Sequence, residues 1–137
     1  MGINENIAAV RADANNLSQQ FFIHFFTKFP QHQNQFPAYK GKATKDLSGV
    51  GNFGSHPLAV VSRVLQVVEK SGDAGALKAE AALLAKMPQH ASLGASDYND
   101  LFTALVSFLQ EKLGGACDTP AWQAAGSAIS NAIVAAK

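Results

Sequence analysis

Charge is scarce in this sequence. Only 15% of its 137 residues are Asp, Glu, Lys or Arg, against about a quarter in an ordinary soluble domain. The formal net charge is +1, and no basic face is visible that could neutralise a phosphate backbone, so no nucleic-acid partner is expected. Cysteine is scarcer still. Cys117 stands alone, which excludes an intrachain disulfide, and it reads as a small residue in or near a loop rather than as a catalytic thiol. No apolar run approaches the ~18–20 residues of a membrane span. The N-terminus lacks the basic segment and apolar run of a signal peptide. A soluble, cytoplasmic or intracellular chain with no membrane partner is expected. Sustained period-two alternation is missing as well, and with it any convincing strand; nor is there an internal repeat.

What remains is apolar and helical. Apolar residues make up 47% of the chain, and at this length folding buries roughly two-thirds of the extended-chain surface, enough for one domain over residues 1–137 without metal or disulfide staples. Ile3, Ile7 and Val10 fall at helical spacing, and Asn15-Asn16, weak helix formers, mark a change of direction. From Leu17 to Phe29 apolar residues wrap most of the way round: Leu17, Phe21, Phe22, Ile23, Phe25, Phe26 and Phe29. That crowding predicts a helix buried on more than one side. Phe29-Pro30 stops it, because proline disfavours helical geometry in the residue before it. A polar turn or short helix over 31–35 leads to Phe36, and Gly41 to Gly54 reads as a loosely structured connection.

A helix resumes near Ser55, placing His56, Val60, Arg63 and Val67 on one face. Pro57 implies either that this helix begins near Ser55 or that it is kinked there. Ser71 to Gly75 is a turn, and Ala76 to Met87 a strong helix interrupted by Pro88, two residues before His90. Ser96 is a candidate N-cap for a helix carrying Leu101, Phe102, Leu105 and Phe108. Asp118-Thr119-Pro120 is the clearest helix start, an N-cap residue with proline in the first helical position, and Trp122, Ala125, Ile129, Ile133 and Ala136 form the last stripe. The fold class is all-α, with six to eight helices of unequal length in a sandwich that encloses something.

Two histidines on different helices, His56 and His90, each have large apolar neighbours. With Phe29-Pro30 six residues before Phe36, His56 four before Val60, and Trp122 opening the last helix, the chain resembles the globin family over essentially its whole length. Phe36-Pro37-Ala38-Tyr39-Lys40-Gly41-Lys42, Gln89-His90-Ala91-Ser92-Leu93 and Leu101-Phe102-Thr103-Ala104-Leu105-Val106 resemble most closely the short invertebrate globins such as annelid dehaloperoxidase-haemoglobin.

The resemblance implies a globin fold around a non-covalent haem b, the chain lacking a Cys-x-x-Cys-His attachment sequence. His90 would be the proximal iron ligand and His56 the distal residue, itself a potential second ligand. Phe22, Phe36, Tyr39, Val60, Leu84, Met87, Leu93, Tyr98, Leu101, Phe102 and Leu105 would complete the pocket. Proximal imidazole leaves the opposite iron site open to a diatomic ligand. Reversible O2 binding for storage or transport is the leading expectation, with CO and NO as alternative ligands. A second is peroxidase chemistry on halophenols with H2O2, His56 acting as acid–base. A third is a six-coordinate bis-histidine redox or sensor protein. A monomer or weak homodimer is expected. Ala59 stands where many family members place a basic residue near a haem propionate, so that clamp is missing or comes from another residue. Arg63 reads as an amphipathic residue at the haem edge or surface rather than as a peroxidase arginine, Tyr39 as a pocket hydrogen-bonder or a plug at its mouth, and His24 and His32 as solvated.

Overall fold

The computed structural model describes residues 2–36, 39–49, 51, 53, 55–87 and 93–136, apart from the side chains of residues 45 and 48. Among these there are six α-helices and no strand: α1 (Ile3–Ala12), α2 (Ala14–Lys28), α3 (Ser55–Lys70), α4 (Ala74–Ala85), α5 (Ala95–Leu113) and α6 (Thr119–Ala135). Three 3-10 turns, Pro30–Gln35, Thr44–Gly49 and Gly114–Ala116, lie between them.

Helix α2 is the centre. Phe21, Phe22, Phe25 and Phe26 are all buried, two successive pairs that face α3 on one side and α5 on the other. Around it α5 packs on α6, α4 on α6, and α3 on α4 and α6. The crowded apolar pattern thus has its expected consequence, a helix buried on more than one side. Where α5 meets α6, Gly126 lets the backbones approach: a Cβ there would lie 2.8 Å from Phe102 Cγ.

Helix boundaries follow local hydrogen bonding more than propensity. The α1–α2 break falls at Asp13 (φ −137°), not at Asn15-Asn16, which sit exposed in the first turn of α2 where weak propensity costs little. Helix α4 starts earlier than its apolar pattern because Asp73 caps it, accepting from the Gly75 and Ala76 N–H groups at 3.0 and 3.1 Å. Helix α5 is capped at Gly94 rather than Ser96; the Asp97 carboxylate takes the Gly94 N–H at 2.8 Å. Pro120 is the second residue of α6, with Thr119 first and Asp118 as N-cap. Helix α3 begins at Ser55, so Pro57 falls in the first turn, where its missing N–H would have had no helical partner. The glycine-rich connection is more ordered than its composition suggests: Thr44–Gly49 is helical, and Leu47 and Phe53 are buried against the core.

Asn6 and His32 are buried polar residues that the sequence pattern did not expose. Asn6 is fully buried: its Nδ2 donates to Ala116 O (2.8 Å), and its Oδ1 accepts from the Asp118 N–H (2.7 Å) and Trp122 Nε1 (3.1 Å). His32, expected in solvent, is only 4% exposed. Its ring stacks on Phe25 and reaches Gln35 Oε1 at 3.0 Å and Asp100 Oδ2 at 2.8 Å, joining the first 3-10 turn to α5.

His24 is half-buried instead of solvated, and its Nε2 is buried without a hydrogen-bond partner. Burial, helped by Lys28 and Lys112, holds its pKa below the ordinary value despite Glu111. The unfolded chain therefore takes up a proton here before the folded one does. Stability falls as pH drops through the ordinary histidine range and levels off below the folded pKa. His24→Gln is expected to shrink the fall in melting temperature between about pH 7.5 and 5.5; an unchanged fall in thermal scans contradicts it.

Candidate functional site

The site is built around the turn after the first 3-10 segment. Gln33 holds that turn from inside, its Nε2 donating to Tyr39 O and Lys42 O, both at 2.6 Å. The Tyr39 N–H closes back on Phe36 O at 2.9 Å. The two rings consequently lie side by side, centroids 6.0 Å apart and 27° from parallel. Phe22 and Phe26, one turn apart on α2, meet them at 5.4–6.3 Å. Such ring pairs contribute about 0.5–1.5 kcal/mol each beyond area burial, so the turn is held by packing as well as by Gln33.

His56, in the first turn of α3, enters this aromatic set. Its ring centroid lies 5.7 Å from Phe22, 5.8 Å from Phe36 and 5.6 Å from Tyr39. Tyr39 Oη is 2.8 Å from His56 Nδ1. Burial lowers the pKa of His56 and raises that of Tyr39, so at neutral pH both are uncharged. His56 is half-buried, and among the described residues no side chain bonds its Nε2. The arrangement offers one polar nitrogen inside an otherwise aromatic and aliphatic wall.

That wall continues along α3 and across to α4 and α5. Phe36, Val60, Val64, Met87, Leu93 and Leu101 pack on the buried cluster but stay only half-covered. An open groove of about 340 Å³ runs between Ala59, Ser62, Arg63 and Gln66 of α3 and Met87 beyond α4. Arg63 turns away toward α4, its Nε 3.7 Å from Glu80 Oε2. Glu80 also accepts from Lys70 Nζ (2.8 Å) and Gln66 Nε2 (3.3 Å), and the Lys70 bond draws its pKa down. Arg63 is thus part of an α3–α4 tie. Ala59 is exposed and apolar, and Lys40 and Lys42 are exposed.

Of the residues singled out in the sequence, Phe22, Phe36, Tyr39 and His56 come together as one cluster. Val60 and Met87 lie on the half-covered wall, while Leu84, Tyr98, Phe102 and Leu105 are buried in the core beside it. Phe102 packs against Gly126 of α6. His90, with Pro88, Gln89, Ala91 and Ser92, lies outside the described residues. Pattern reading missed Phe26, Gln33 and Phe53, whose ring meets Tyr39 edge-on at 5.5 Å. The four-residue step from Phe22 could have revealed Phe26; a glutamine in a polar turn and a phenylalanine among glycines carry no such signal.

The helices thus form an all-α sandwich with a histidine set against an aromatic-lined, half-covered apolar surface. Residues 19–133 match the globin family model, and the chain belongs to the globin family. Globin CTT-VIIB-7 of Chironomus thummi piger is 33% identical over 88 residues, 62% of this chain and 54% of that one. The myoglobin of Mustelus antarcticus is 27% identical over 70 residues, 51% and 47% of the two chains. The chain spans about half the length of the curated relatives it matches. Among solved structures, ferric Aplysia limacina myoglobin with azide superposes with a TM-score of 0.86 at 22% identity, covering 97% of this chain and 92% of that one. A double mutant of the same myoglobin gives 0.84 at 24%, with the same coverage. These superpositions establish the globin fold.

Membership implies a haem, and the residues fit one. A planar macrocycle needs broad apolar faces that the protein alone leaves uncovered; Phe36, Val60, Val64, Met87, Leu93 and Leu101 supply half-covered apolar surface. The half-buried, uncharged His56 ring packs on Phe36 at 5.8 Å beside that surface. Among the described residues no helix is long and apolar enough to cross a membrane.

Proposed function

We propose that this chain is a haem globin that binds O2 reversibly, with His90 as the proximal iron ligand and His56 on the opposite, ligand-binding face. The observation that carries the reading is His56 itself: uncharged, ringed by Phe22, Phe36 and Tyr39, and with Nε2 free of any side-chain partner among the described residues. Haem b, held without covalent attachment, would supply a ferrous centre able to take a diatomic ligand. The protein's contributions are separate from that chemistry. Apolar burial by Phe36, Val60, Met87, Leu93 and Leu101 holds the macrocycle, at about 25 cal/mol per Å² covered. Phe22 and Phe36 keep water from the ligand side. His56 offers a hydrogen bond to a polarised ligand, worth about 1.5–3 kcal/mol when charge develops on the acceptor.

The deoxy ferrous spectrum, taken with and without CO, tests this reading. A single broad visible band that CO converts to a sharp pair is the expected result. Two sharp bands before CO is added mean that His56 occupies the iron, and the O2 reading falls. His90→Ala is expected to weaken the Soret band of the purified protein severely; an undiminished Soret band removes His90 as the ligand.

A further inference from the structure

We infer that Tyr39 is a positioning residue that sets the tautomer of His56, donating its hydroxyl hydrogen to Nδ1 so that the ring hydrogen resides on Nε2. The inference rests on the distal role proposed for His56 and concerns the residue behind it.

The geometry leaves the bond little freedom. Tyr39 Oη and His56 Nδ1 are 2.8 Å apart, and Tyr39 is 0% exposed. A phenol hydroxyl buried this deeply needs an acceptor for its hydrogen, and Nδ1 is the one it meets among the described residues. In the opposite arrangement Nδ1–H would donate to Oη. The hydroxyl hydrogen would then be buried without an acceptor, and the Nε2 lone pair, not an N–H, would face the ligand. Imidazole nitrogen is also the better acceptor and the phenol O–H the better donor. Both groups being uncharged at neutral pH is consistent with this bond.

Tyr39 is held in place for the task. Gln33 fixes its carbonyl at 2.6 Å and Phe36 its N–H at 2.9 Å. Phe22, Phe26, Phe36 and Phe53 surround the ring with centroids 5.5–6.3 Å away. The hydroxyl cannot swing off Nδ1 without opening this cluster. It therefore also restrains His56 from turning outward, and the residue that closes the turn aims the His56 ring.

The test is a long-range proton–nitrogen correlation spectrum of the full-length, nitrogen-15-labelled chain at about pH 8, where the ring is neutral. It is recorded haem-free and in the diamagnetic CO-bound ferrous form, with His56→Gln to assign the signals. The expected result is His56 protonated on Nε2, with Nδ1 at the shift of a hydrogen-bonded acceptor. In Tyr39→Phe that acceptor shift should vanish and the Nε2–H to Nδ1–H ratio fall by about tenfold, the weight of one neutral hydrogen bond. Dissociation of O2 from the haem-loaded variant should accelerate by a smaller factor, since the ligand loses orientation of its donor and not the donor itself. Protonated Nδ1 in the unsubstituted protein overturns the inference, as does an unchanged ratio in Tyr39→Phe. Failure to bind haem would sink the proposed function instead; the haem-free spectrum would still decide the tautomer.

Discussion

Replacing Asn6 with alanine is expected to cost on the order of 3 kcal/mol, because it strips the partner from one buried group and two half-buried ones at once. The side chain lies at the junction of α1, the short turn Gly114–Ala116 and the first turn of α6. Its Nδ2 serves Ala116 O, and its Oδ1 serves both the Asp118 N–H and Trp122 Nε1. Trp122 is wholly buried, so water cannot take over its indole N–H without disturbing the core. The buried indole N–H left without a partner costs roughly 1–3 kcal/mol, the half-buried Ala116 O and Asp118 N–H less, and the alanine also leaves a small void. Total stability of such domains is about 5–15 kcal/mol, so the variant should unfold at a clearly lower denaturant concentration with an unchanged slope.

Two companions separate the causes. Asn6→Asp keeps both acceptor bonds but turns a carboxylate oxygen toward the Ala116 carbonyl, so it should be nearly as damaging at neutral pH and less so once the acid is protonated. Trp122→Phe combined with Asn6→Ala should cost less than the sum of the two single changes, since the indole N–H is no longer there to be left unpaired. Full additivity in that cycle would mean that the Asn6–Trp122 bond contributes nothing, leaving Ala116, Asp118 and the space Asn6 fills as the causes.

Asn6 also shows where sequence reading ends. The helices are legible because their cause is local: the apolar crowding from Leu17 to Phe29, the Asp118 cap, and the proline after Phe29 each act within a few residues. Asn6 satisfies partners 110 to 116 residues away. In the pattern it falls on the Ile3–Ile7–Val10 face, unlike exposed Asn4, but a polar residue at that position does not disclose its partners. His32 is hidden for the same reason, its partner Asp100 lying 68 residues on. Helix starts shifted at α4 and α5 because Asp73 and Asp97 outcompete the apolar pattern in fixing the first turn.

The candidate site divides along the same line. Phe22, Phe36, Tyr39 and His56 are named by order and spacing once the chain is compared with a family, and the fold brings them together. Their connection is not so readable. Tyr39 and His56 are 17 residues apart across a glycine-rich segment, and only the chain's course sets one hydroxyl against Nδ1. Gln33, which shapes the turn, belongs to the polar stretch that reads as a turn or short helix, with nothing in it to single out one glutamine. The apolar wall is legible as a set of residues; which of them stay half-covered depends on neighbouring helices. Ala59 and Arg63 follow this too. Arg63 shares a helix face with His56, yet Glu80, 17 positions later in a different helix, captures it.

Gly126→Val is expected to destabilise by about 3 kcal/mol, and the effect should reach the α5 side of the pocket. A Cβ at Gly126 would stand 2.8 Å from Phe102 Cγ and 2.9 Å from Phe102 Cβ. These are the root atoms of the phenylalanine, so rotating its ring does not clear them; α5 and α6 must separate. Overpacking of this kind costs about 1–3 kcal/mol, and valine adds two further carbons in the same gap. Better helix propensity than glycine returns only a few tenths of a kcal/mol. Gly126→Ala should be milder, because its propensity gain of about 1 kcal/mol offsets much of a smaller clash. Phe102 lies beside Leu101, which belongs to the half-covered wall, so displacing α5 should also raise the rate of haem loss to an acceptor protein. Adding Phe102→Leu to Gly126→Val removes ring volume but keeps a Cβ and Cγ, and should restore part of the loss, by 1 kcal/mol or so. Haem loss that rises in step with destabilisation, and falls with it in the double variant, would tie the α5–α6 contact to the pocket. Destabilisation with unchanged haem retention would mean that α5 yields on its α6 side alone and that the wall facing the haem is set by α2 and α3.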